Sequence, residues 1–423
     1  MIYYESGTEN SVITRDELER AISGALSMLG PKKRVLVVPP DYTRYHSRAG
    51  EITSLIYQFY GDHLTDILPA LGTHSPMTSD QISIMYKGIP DNLFRIHRWR
   101  DDVLTTGIVP AGYVSQITEG KISYSWPAQL NRLIMNGGHD LIISVGQVVP
   151  HEVAGMANYN KNLFIGTGGP EGINKSHFIG AVYGMERMMG KSDTPVRKLL
   201  NYASGHFIQK LPVVYIHTVV CCDEDDRQVV RGVFIGDDES VFTSAAALSL
   251  KVNFTVLEKP LKNVLVYLDP SEYKSTWLGN KSIYRTRMAM ADGGNLTVLA
   301  PGLKEFGEDN EIDRLIRKFG YRGTQTTLDS IAGNKDLESN LSAAAHLIHG
   351  STEGRFSVTY CPGILTRKEI ESVNYNYAGL DKMMRKYNPD KLKNGVNILP
   401  GGEEIFYISN PSLGLWASKD SLT

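Results

Sequence analysis

Cysteine is scarce in this 423-residue chain, which contains only Cys221, Cys222 and Cys361. Their number is odd, and their spacing is not that of a metal site. The sequence therefore argues against a disulfide framework and favours reduced thiols in a cytosolic protein. The adjacent pair follows the apolar run 211–220, so it is interpreted as the end of a buried strand rather than as a redox or metal site.

A strong net charge and long apolar runs are also missing. The formal net charge is −2, whereas a protein that binds nucleic acid needs a basic surface. No apolar run reaches the roughly 18–20 residues that a membrane-spanning helix requires. The N-terminal sequence MIYYESGTENSVITRDELER has neither the basic nor the apolar region of a secretory signal. We therefore expect a cytoplasmic protein without nucleic-acid or membrane partners.

Buried-strand patterns alternate with helical patterns along most of the chain. This alternation predicts two α/β domains with mainly parallel sheets, and the length also favours two domains. We place the N-terminal domain at 1–262 and the C-terminal domain at 263–423. The expected strands are 34–38, 65–71, 140–145, 163–165, 211–218, 229–235 (with an acidic turn at 223–226 before it), 264–268, 296–300, 356–360 and 396–399. The expected helices are 282–291, 311–319 and 368–387, and a further helix is expected to begin near Thr78.

Ionisable side chains gather directly after the first four predicted strands. In an open α/β sheet, ligands bind beyond the carboxyl ends of the strands, so these side chains are expected to share one crevice. They are Asp41 and Arg44 after the first strand, His74 after the second, His151 after the third, and Lys161 and His177 on either side of the glycine turn 166–169. Imidazole and amine groups ligate metals, transfer protons and form covalent bonds. The crevice is therefore predicted to hold an anionic or metallic ligand.

Ordered motifs spread from Asp41 to Gly294 make the chain resemble the lactate racemase family. The motifs are Asp41-x-Thr43-Arg44, Gly72-x-His74-x-Pro76-x-Thr78, His151-x9-Lys161-x15-His177, and Lys281 twelve residues before Gly293-Gly294. The resemblance implies an isomerase that racemises or epimerises a 2-hydroxy acid with a nickel-pincer nucleotide. It also implies an active site in the cleft between two domains, and cofactor-biosynthesis enzymes as partners.

Two residues match the cofactor attachment points of that family. Lys161 corresponds to the lysine that is joined to the cofactor through a thioamide. His177 corresponds to the histidine that coordinates nickel beside the carbon and sulfur donors of the pincer. An imidazole together with soft sulfur donors suits Ni(II). The resemblance therefore implies a covalent cofactor at Lys161 and a metal ligand at His177.

Five further residues match groups that act on the substrate or support the cofactor. His74 and His151 correspond to the paired acid/base histidines. Arg44 and Lys281 correspond to basic residues near the substrate carboxylate and the cofactor, and Asp41 corresponds to the aspartate that opens the Arg44 loop. A guanidinium binds a carboxylate through two hydrogen bonds, and imidazoles exchange protons near neutral pH. These residue types suit loss of a hydride from C2 together with loss of the hydroxyl proton.

The chain departs from the family pattern at several positions. Asn158-Tyr159-Asn160 replaces the Gly-Gly-Arg run that usually precedes the cofactor lysine, and Ser75 replaces an arginine. Trp277-Leu278 replaces a Tyr-Gln pair before Lys281. We therefore predict that Trp277 and Leu278 bind a substrate other than lactate, such as a longer or aromatic 2-hydroxy acid.

Two other functions are compatible with the same residues. The chain could be a different metal-dependent enzyme, a hydrolase or lyase, with His74, His151 and His177 as ligands. It could also be a non-catalytic protein that binds the cofactor, although binding alone does not need two acid/base histidines. His346 and His349 have a spacing that permits metal binding, but a structural role is favoured for them.

Overall fold

The computed structural model describes residues 1–223 and 227–422, which form two compact units. The first unit comprises Met1–Tyr183 and Arg187–Asn253. The second comprises Gly184–Glu186 and the described chain from Phe254 onward. The segment 254–262, which the sequence analysis placed in the first domain, belongs to the second unit, where strand Phe254–Leu257 pairs in parallel with strand Leu415–Ser418.

Strands and helices alternate in the chain before Phe254. The strands are β1 (Ile2–Gly7), β2 (Val35–Val38), β3 (Leu64–Ile67), β4 (Val103–Val109), β5 (Trp126–Asn131), β6 (Leu141–Gln147), β7 (Pro150–His151), β8 (Gly155–Met156), β9 (Val213–Cys222) and β10 (Gln228–Gly236). The helices are α1 (Arg15–Leu29), α2 (Ala49–Tyr60), α3 (Ser79–Met85), α4 (Ala111–Ile117), α5 (Arg132–Asn136), α6 (Asn160–Phe164), α7 (Pro170–Tyr183), α8 (Met185–Met188), α9 (Pro195–Phe207) and α10 (Glu239–Asn253).

The main sheet of the first unit has the order β1-β10-β9-β6-β2-β3 in the described chain. The four strands β9, β6, β2 and β3 are parallel to one another, whereas β10 pairs antiparallel with β9 and β1 pairs antiparallel with β10. Every residue of β2 and β6 is buried. Continuous apolar strands of this kind are typical of a parallel sheet that is covered on both faces. The predicted mainly parallel α/β fold is therefore confirmed.

Helix α3 begins where the sequence predicts a cap. The Thr78 hydroxyl accepts a hydrogen bond from the Gln81 amide, and the Gln81 side chain accepts one from the Thr78 amide. This capping box satisfies two amide groups that have no partner within the helix. It also fixes the end of the loop that carries His74, because Thr78 ends that loop.

The second unit contains another mainly parallel sheet. The strands of this unit are β11 (Phe254–Leu257), β12 (Leu261–Tyr267), β13 (Met290–Ala300), β14 (Ser357–Pro362), β15 (Asn376–Tyr377), β16 (Gly395–Ile398), β17 (Glu404–Ile408) and β18 (Leu415–Ser418), of which β11 and β18 pair only with each other. Its further helices are α11 (Thr276–Gly279), α12 (Lys281–Thr286), α13 (Asn310–Phe319), α14 (Thr324–Gly333), α15 (Lys335–Ser339), α16 (Leu341–Gly350), α17 (Arg367–Ser372) and α18 (Leu380–Tyr387). The sheet order in the described residues is β15-β14-β13-β12-β17-β16, with only β16 antiparallel to its neighbour.

Three element predictions were wrong. The predicted strand 163–165 belongs to helix α6 and the residue that ends it, because a short apolar run is equally compatible with a buried helix. The predicted helix 368–387 is interrupted by β15, and the predicted helix 282–291 ends at Thr286 before β13 begins. Residues 224–226 of the predicted acidic turn lie outside the described residues. None of the described helices is long and apolar enough to cross a membrane.

Candidate active site

The loops that follow β2 and β3 run side by side and meet the glycine turn. The Ala70 amide donates a hydrogen bond to the Pro39 carbonyl at 2.7 Å, and the Gly72 amide donates one to the Gly166 carbonyl at 2.8 Å. β2 and β3 are neighbours in the sheet, so the loops that carry Asp41 and His74 start side by side. The bond from Gly72 to Gly166 then connects the His74 loop to the turn that follows the helix carrying Lys161.

Asp41 and His74 form a close pair at this edge of the sheet. The Asp41 carboxylate is almost fully buried, and its Oδ2 lies 2.6 Å from Nδ1 of His74. Its Oδ1 accepts hydrogen bonds from the Thr43 amide at 3.0 Å and the Thr43 hydroxyl at 2.5 Å. Burial by itself raises the pKa of Asp41, but His74, Thr43 and Arg44 outweigh it and hold the pKa below its ordinary value. Asp41 is therefore a carboxylate at neutral pH.

Lys161 lies in the first turn of α6, and its pKa is lowered in part by the charge of Arg44. Burial and, after it, the positive charge of Arg44 lower the pKa of Lys161 to about 8, against the opposing effect of Glu152. No hydrogen bond or ion pair holds the Lys161 amine among the described residues. The Nη1 atom of Arg44 is also buried without a hydrogen-bond partner. An amine that is partly deprotonated at neutral pH and an unsatisfied guanidinium nitrogen suit a covalent attachment and an anion, respectively.

The backbone directly before Lys161 is strained. Asn158 and Tyr159 have positive φ angles of 65° and 59°, which residues other than glycine rarely adopt. The side-chain NH2 group of Asn158 donates a hydrogen bond to the Gly146 carbonyl at 2.6 Å and lies 2.9 Å from Nδ1 of His217. The Tyr159 ring stacks on Phe242, with their centroids 5.2 Å apart. These contacts hold in place a turn for which the family pattern uses two glycines.

Buried Arg197 binds the same turn from helix α9. Its guanidinium donates to the Met156 carbonyl at 2.8 Å, to the Asn158 carbonyl at 3.3 Å and to the Asn160 side chain. Its Cζ lies 4.2 Å from the centroid of the Phe242 ring. Since Lys161 follows directly, Arg197 fixes the path of the chain into α6.

The strain at Asn158 is expected to be measurable. Asn158→Ala and Asn158→Gly both remove the buried hydrogen bonds, which we expect to cost about 1–3 kcal/mol of unfolding free energy. The alanine variant should be the less stable of the two by about 1 kcal/mol, because only alanine retains a Cβ in the left-handed conformation. Denaturant unfolding measures both values. At exposed Asn136 in α5 the order should reverse, because glycine weakens a helix, and the same order at both positions would contradict the assigned strain.

His177 lies on α7 with a fixed orientation of its ring. Its Nδ1 lies 2.8 Å from the Ile173 carbonyl, which can only accept a hydrogen bond, so Nδ1 carries the proton and Nε2 the lone pair. Burial lowers the pKa of His177 to about 4, against the effect of that hydrogen bond and with a further contribution from Lys161. The side chain is therefore a neutral imidazole at physiological pH. A backbone carbonyl that orients the ring in this way is typical of metal-ligating histidines.

His151 ends the short strand β7 and is buried. Its Nδ1 accepts a hydrogen bond from the Val153 amide at 3.1 Å, and its Nε2 lies 3.7 Å from Oε1 of Glu152. Glu152 also acts electrostatically on both Lys161 and His177. Glu152, the residue after His151, therefore raises the pKa of both predicted cofactor-binding residues, Lys161 and His177.

The other predicted substrate-binding residues, Trp277, Leu278 and Lys281, belong to the second unit. The Trp277 ring packs on His346, with centroids 4.5 Å apart. The two nitrogens of His346 are hydrogen-bonded to the hydroxyls of Tyr284, at 2.7 Å, and Tyr321, at 2.9 Å. His346 therefore orients Trp277 within the second unit, in keeping with the structural role expected for it.

Leu278 and Lys281 are both buried, although one is apolar and the other ionisable. Leu278 lies on α11, and Lys281 begins α12. The Lys281 ammonium lies 5.7 Å from the centroid of the Tyr273 ring. The role predicted for these residues in substrate binding stays a prediction.

The structure does not favour an ordinary metal site made of protein ligands alone. Within residues 1–223 and 227–422, no group of three or more histidine, cysteine, aspartate or glutamate side chains is arranged to hold a metal ion. The Nδ1 atoms of His74, His151 and His177 each contact another group. The hypothesis of three histidine ligands around one metal therefore receives no support from the described residues.

Sequence reasoning missed several residues that shape this site. Glu152 and Val153 directly follow His151, so their place in the sequence could have indicated that they lie near the site. Nothing in the sequence indicated Arg197, because the residues that it contacts, Met156 and Asn158, are distant from it in the chain. His217 lies on β9 and contacts the Asn158 side chain, which is likewise distant in the sequence.

The sequence of the first unit matches a known family. Residues 8–189 match the family model described as the lactate racemase N-terminal domain. That range contains Asp41, Arg44, His74, His151, Lys161 and His177. No curated protein is significantly similar to the chain.

Two solved structures share the fold. A protein from Thermotoga maritima is 24% identical, with a TM-score of 0.80 over 96% of this chain and 98% of that chain. The lactate racemase apoprotein from Thermoanaerobacterium thermosaccharolyticum is 15% identical, with a TM-score of 0.68 over 96% of this chain and 93% of that chain. At these identities the similarity establishes the fold.

Proposed function

We propose that this chain, whose residues 8–189 match the lactate racemase N-terminal domain, is a racemase or epimerase that inverts the C2 centre of a 2-hydroxy acid. One observation carries the proposal. Arg44 lowers the pKa of Lys161, and both Lys161 and His74 lower the pKa of His177, while His74 and Arg44 lower that of Asp41, so these five residues lie near one another. Paired acid/base groups beside a nucleophilic amine are more than ligand binding requires.

The residues of the cluster fit the nickel-pincer nucleotide that the family resemblance implies. Lys161 would hold it through a thioamide, since its amine is partly deprotonated at neutral pH. His177 would coordinate nickel through Nε2, since Nδ1 is engaged with Ile173. When bound, the cofactor supplies a nickel centre and an acceptor for the C2 hydride. Enzymes that make this cofactor are therefore proposed partners of the chain.

The residues of the chain supply binding and proton transfer. Arg44 has a buried nitrogen without a partner, which suits a carboxylate or a phosphate oxygen. His74 lies against ionised Asp41, which stabilises the imidazolium that forms when His74 accepts a proton. His151 is proposed as the second histidine that contacts the substrate oxygen. Lys281 is proposed to bind the substrate carboxylate.

The substrate is proposed to be longer than lactate or aromatic, because the pair Trp277-Leu278 is bulky and apolar. We expect the chain, co-expressed with the cofactor-making enzymes, to interconvert the enantiomers of phenyllactate with a kcat/KM at least about ten-fold above that for lactate. With Cα-deuterated substrate, a primary isotope effect and retention of deuterium in the product are expected. Malate, 2-hydroxyglutarate and aldonates complete the panel, and chiral chromatography with mass spectrometry measures both quantities.

The possible outcomes separate the reaction from the substrate. Exchange of deuterium with solvent would contradict hydride transfer, because a proton removed from C2 mixes with water. Inversion with a clear preference for lactate would contradict the proposed substrate while leaving the reaction type intact. Absence of inversion with every substrate, in protein that carries the cofactor and nickel, would contradict the proposed function.

A further inference from the structure

A cavity of about 600 Å³ lies in the first unit, at the end of the edge strand β3. This volume falls within the range of roughly 300–1,000 Å³ that is typical of small-molecule sites. None of the described residues that line the cavity belongs to the candidate active site. The proposed function therefore does not use the cavity, and its lining decides what it can bind.

Three backbone hydrogen bonds build the cavity from segments that are distant in the sequence. The Arg95 amide donates to the Ile67 carbonyl at 2.8 Å, which places Arg95 beside the end of β3. The Asp102 amide donates to the Arg98 carbonyl at 2.8 Å, and the Arg132 amide donates to the Asp102 carbonyl at 2.8 Å. Three arginines, Arg95, Arg98 and Arg132, therefore line the same cavity.

Two of the three guanidinium groups lie near a carboxylate that balances their charge. Nε of Arg95 donates to Oδ1 of Asp66 at 2.7 Å, and Nη1 of Arg98 lies 3.7 Å from Oδ2 of Asp102. Arg132 is exposed, and its guanidinium makes neither a hydrogen bond nor an ion pair within residues 1–223 and 227–422. The lining thus has one positive charge in excess, which a ligand with a single negative charge would neutralise.

Apolar side chains form another part of the lining. Leu68, Phe94, Ile96 and Leu133 contribute to it. The Phe94 ring packs on Tyr86, with their centroids 5.2 Å apart, and Ile96 is 53% exposed. A ligand that covers Ile96 removes apolar surface from water, which favours binding. The lining therefore suits a ligand that has an apolar body as well as a charge.

We propose that this cavity is a binding site for a small organic monocarboxylate with an apolar body, separate from the candidate active site. The planar guanidinium of Arg132 donates two hydrogen bonds to the carboxylate, and Arg98 adds positive charge. The apolar body packs on Ile96 and Phe94. A phosphate monoester carries about 1.5–2 negative charges at neutral pH, which exceeds the unbalanced charge of the lining.

The wall of the cavity is also bonded to the glycine turn 166–169, which leads into α7. Asn131 lines the cavity, and its backbone amide donates to the Thr167 carbonyl at 2.8 Å. The Asn131 side chain lies 2.9 Å from Nδ1 of His97, whose Nε2 lies 3.0 Å from the Gly168 carbonyl. Because Asn131 precedes Arg132, a ligand held by Arg132 is expected to slow hydrogen exchange of the Asn131 amide.

Binding can be measured by isothermal titration calorimetry of the full chain, expressed without the cofactor-making enzymes. The probe is 3-phenylpropionate, which has no 2-hydroxyl group and so is not a substrate of the proposed reaction. We expect it to bind at least about ten-fold more tightly than 3-phenylpropanol, propionate or 2-phenylethyl phosphate. These compounds lack the charge, the apolar body and the single charge, respectively. Hydrogen–deuterium exchange with mass spectrometry should show slower exchange at Asn131 in the presence of the probe.

Substitutions locate the site of binding. Arg132→Gln should weaken binding of 3-phenylpropionate at least about ten-fold, because it removes charged hydrogen-bond donors. Arg98→Gln should weaken it about three-fold, since Asp102 already balances part of the Arg98 charge. Arg20→Gln, at an exposed arginine of α1, is the matched control and should leave the affinity unchanged. Arg44→Gln, in the candidate active site, should also leave it unchanged.

The outcomes separate this proposal from the proposed function, because binding requires neither the cofactor nor turnover. Unchanged affinity in Arg132→Gln would overturn the proposal, and Arg98→Gln provides the same test if the first variant does not fold. Loss of binding in Arg44→Gln alone would place the probe in the candidate active site and would also overturn it. Tighter binding of the phosphate ester than of the carboxylate would contradict the proposed class of ligand. Binding that leaves exchange at Asn131 unchanged would contradict the position assigned to the ligand.

Discussion

Lys161→Arg is expected to remove both the proposed covalent cofactor and the proposed isomerase activity. An arginine keeps its positive charge at all accessible pH values and is not a nucleophile, so it cannot form a thioamide. Lys161 differs because burial and Arg44 lower its pKa to about 8. The wild-type chain, co-expressed with the cofactor-making enzymes, should show an added mass under denaturing conditions and bound nickel. The variant should show the unmodified mass, and turnover at background level.

The matched control for this prediction is Lys191→Arg. Lys191 is an exposed lysine of the same unit, so its replacement should leave the adduct, the nickel content and the turnover unchanged. An adduct that persists in Lys161→Arg would place the attachment elsewhere. A wild-type chain that stays unmodified, while a known family member becomes loaded in the same cells, would contradict the cofactor proposal.

Arg197→Met is expected to destabilise the first unit by about 3 kcal/mol. Methionine preserves most of the packing on Phe242 but removes the donors that satisfy the Met156 and Asn158 carbonyls. A buried carbonyl that loses a charged donor bears the cost of its own desolvation. The free energy of unfolding from denaturant titration measures this effect. The turn before Lys161 should also loosen, so that a smaller fraction of the protein acquires the cofactor adduct.

Arg132→Met supplies the control for the loss of an arginine as such. Arg132 is exposed at the start of α5, and surface substitutions of this kind usually change stability by less than about 0.5 kcal/mol. Equal effects of the two substitutions would contradict the role assigned to Arg197. A destabilised Arg197→Met protein with complete loading would show that Arg197 supports the fold but does not position Lys161.

Strong local patterns were sufficient to predict much of the fold. The apolar run in β2 is buried at every residue, and the Thr78 cap begins α3 as expected. The segment 163–165 was misassigned because three apolar residues do not distinguish a strand from a buried helix. The interruption of the predicted helix 368–387 depends on the pairing of β15 with β14, which is a contact between distant parts of the chain.

The chemical types at the site could also be predicted, because they follow the strands of a parallel sheet. Asp41 and His74 were expected at one edge of that sheet, and the structure brings them within hydrogen-bond distance. Their pairing was not predicted, because it depends on the rotamer of each side chain. The same holds for the contact of His151 with Val153 and for Arg197, whose partners belong to another element.

The sequence alone determined the fold class, the family resemblance and the identity of the reactive groups, because these depend on local periodicity and on residue types at fixed spacings. The tertiary structure alone decided the state of each group. Burial and Arg44 set the pKa of Lys161, a backbone carbonyl sets the ring of His177, and the Asp41 carboxylate contacts His74. Desolvation and hydrogen bonding depend on which atoms surround a group in space, and a linear sequence does not contain that arrangement.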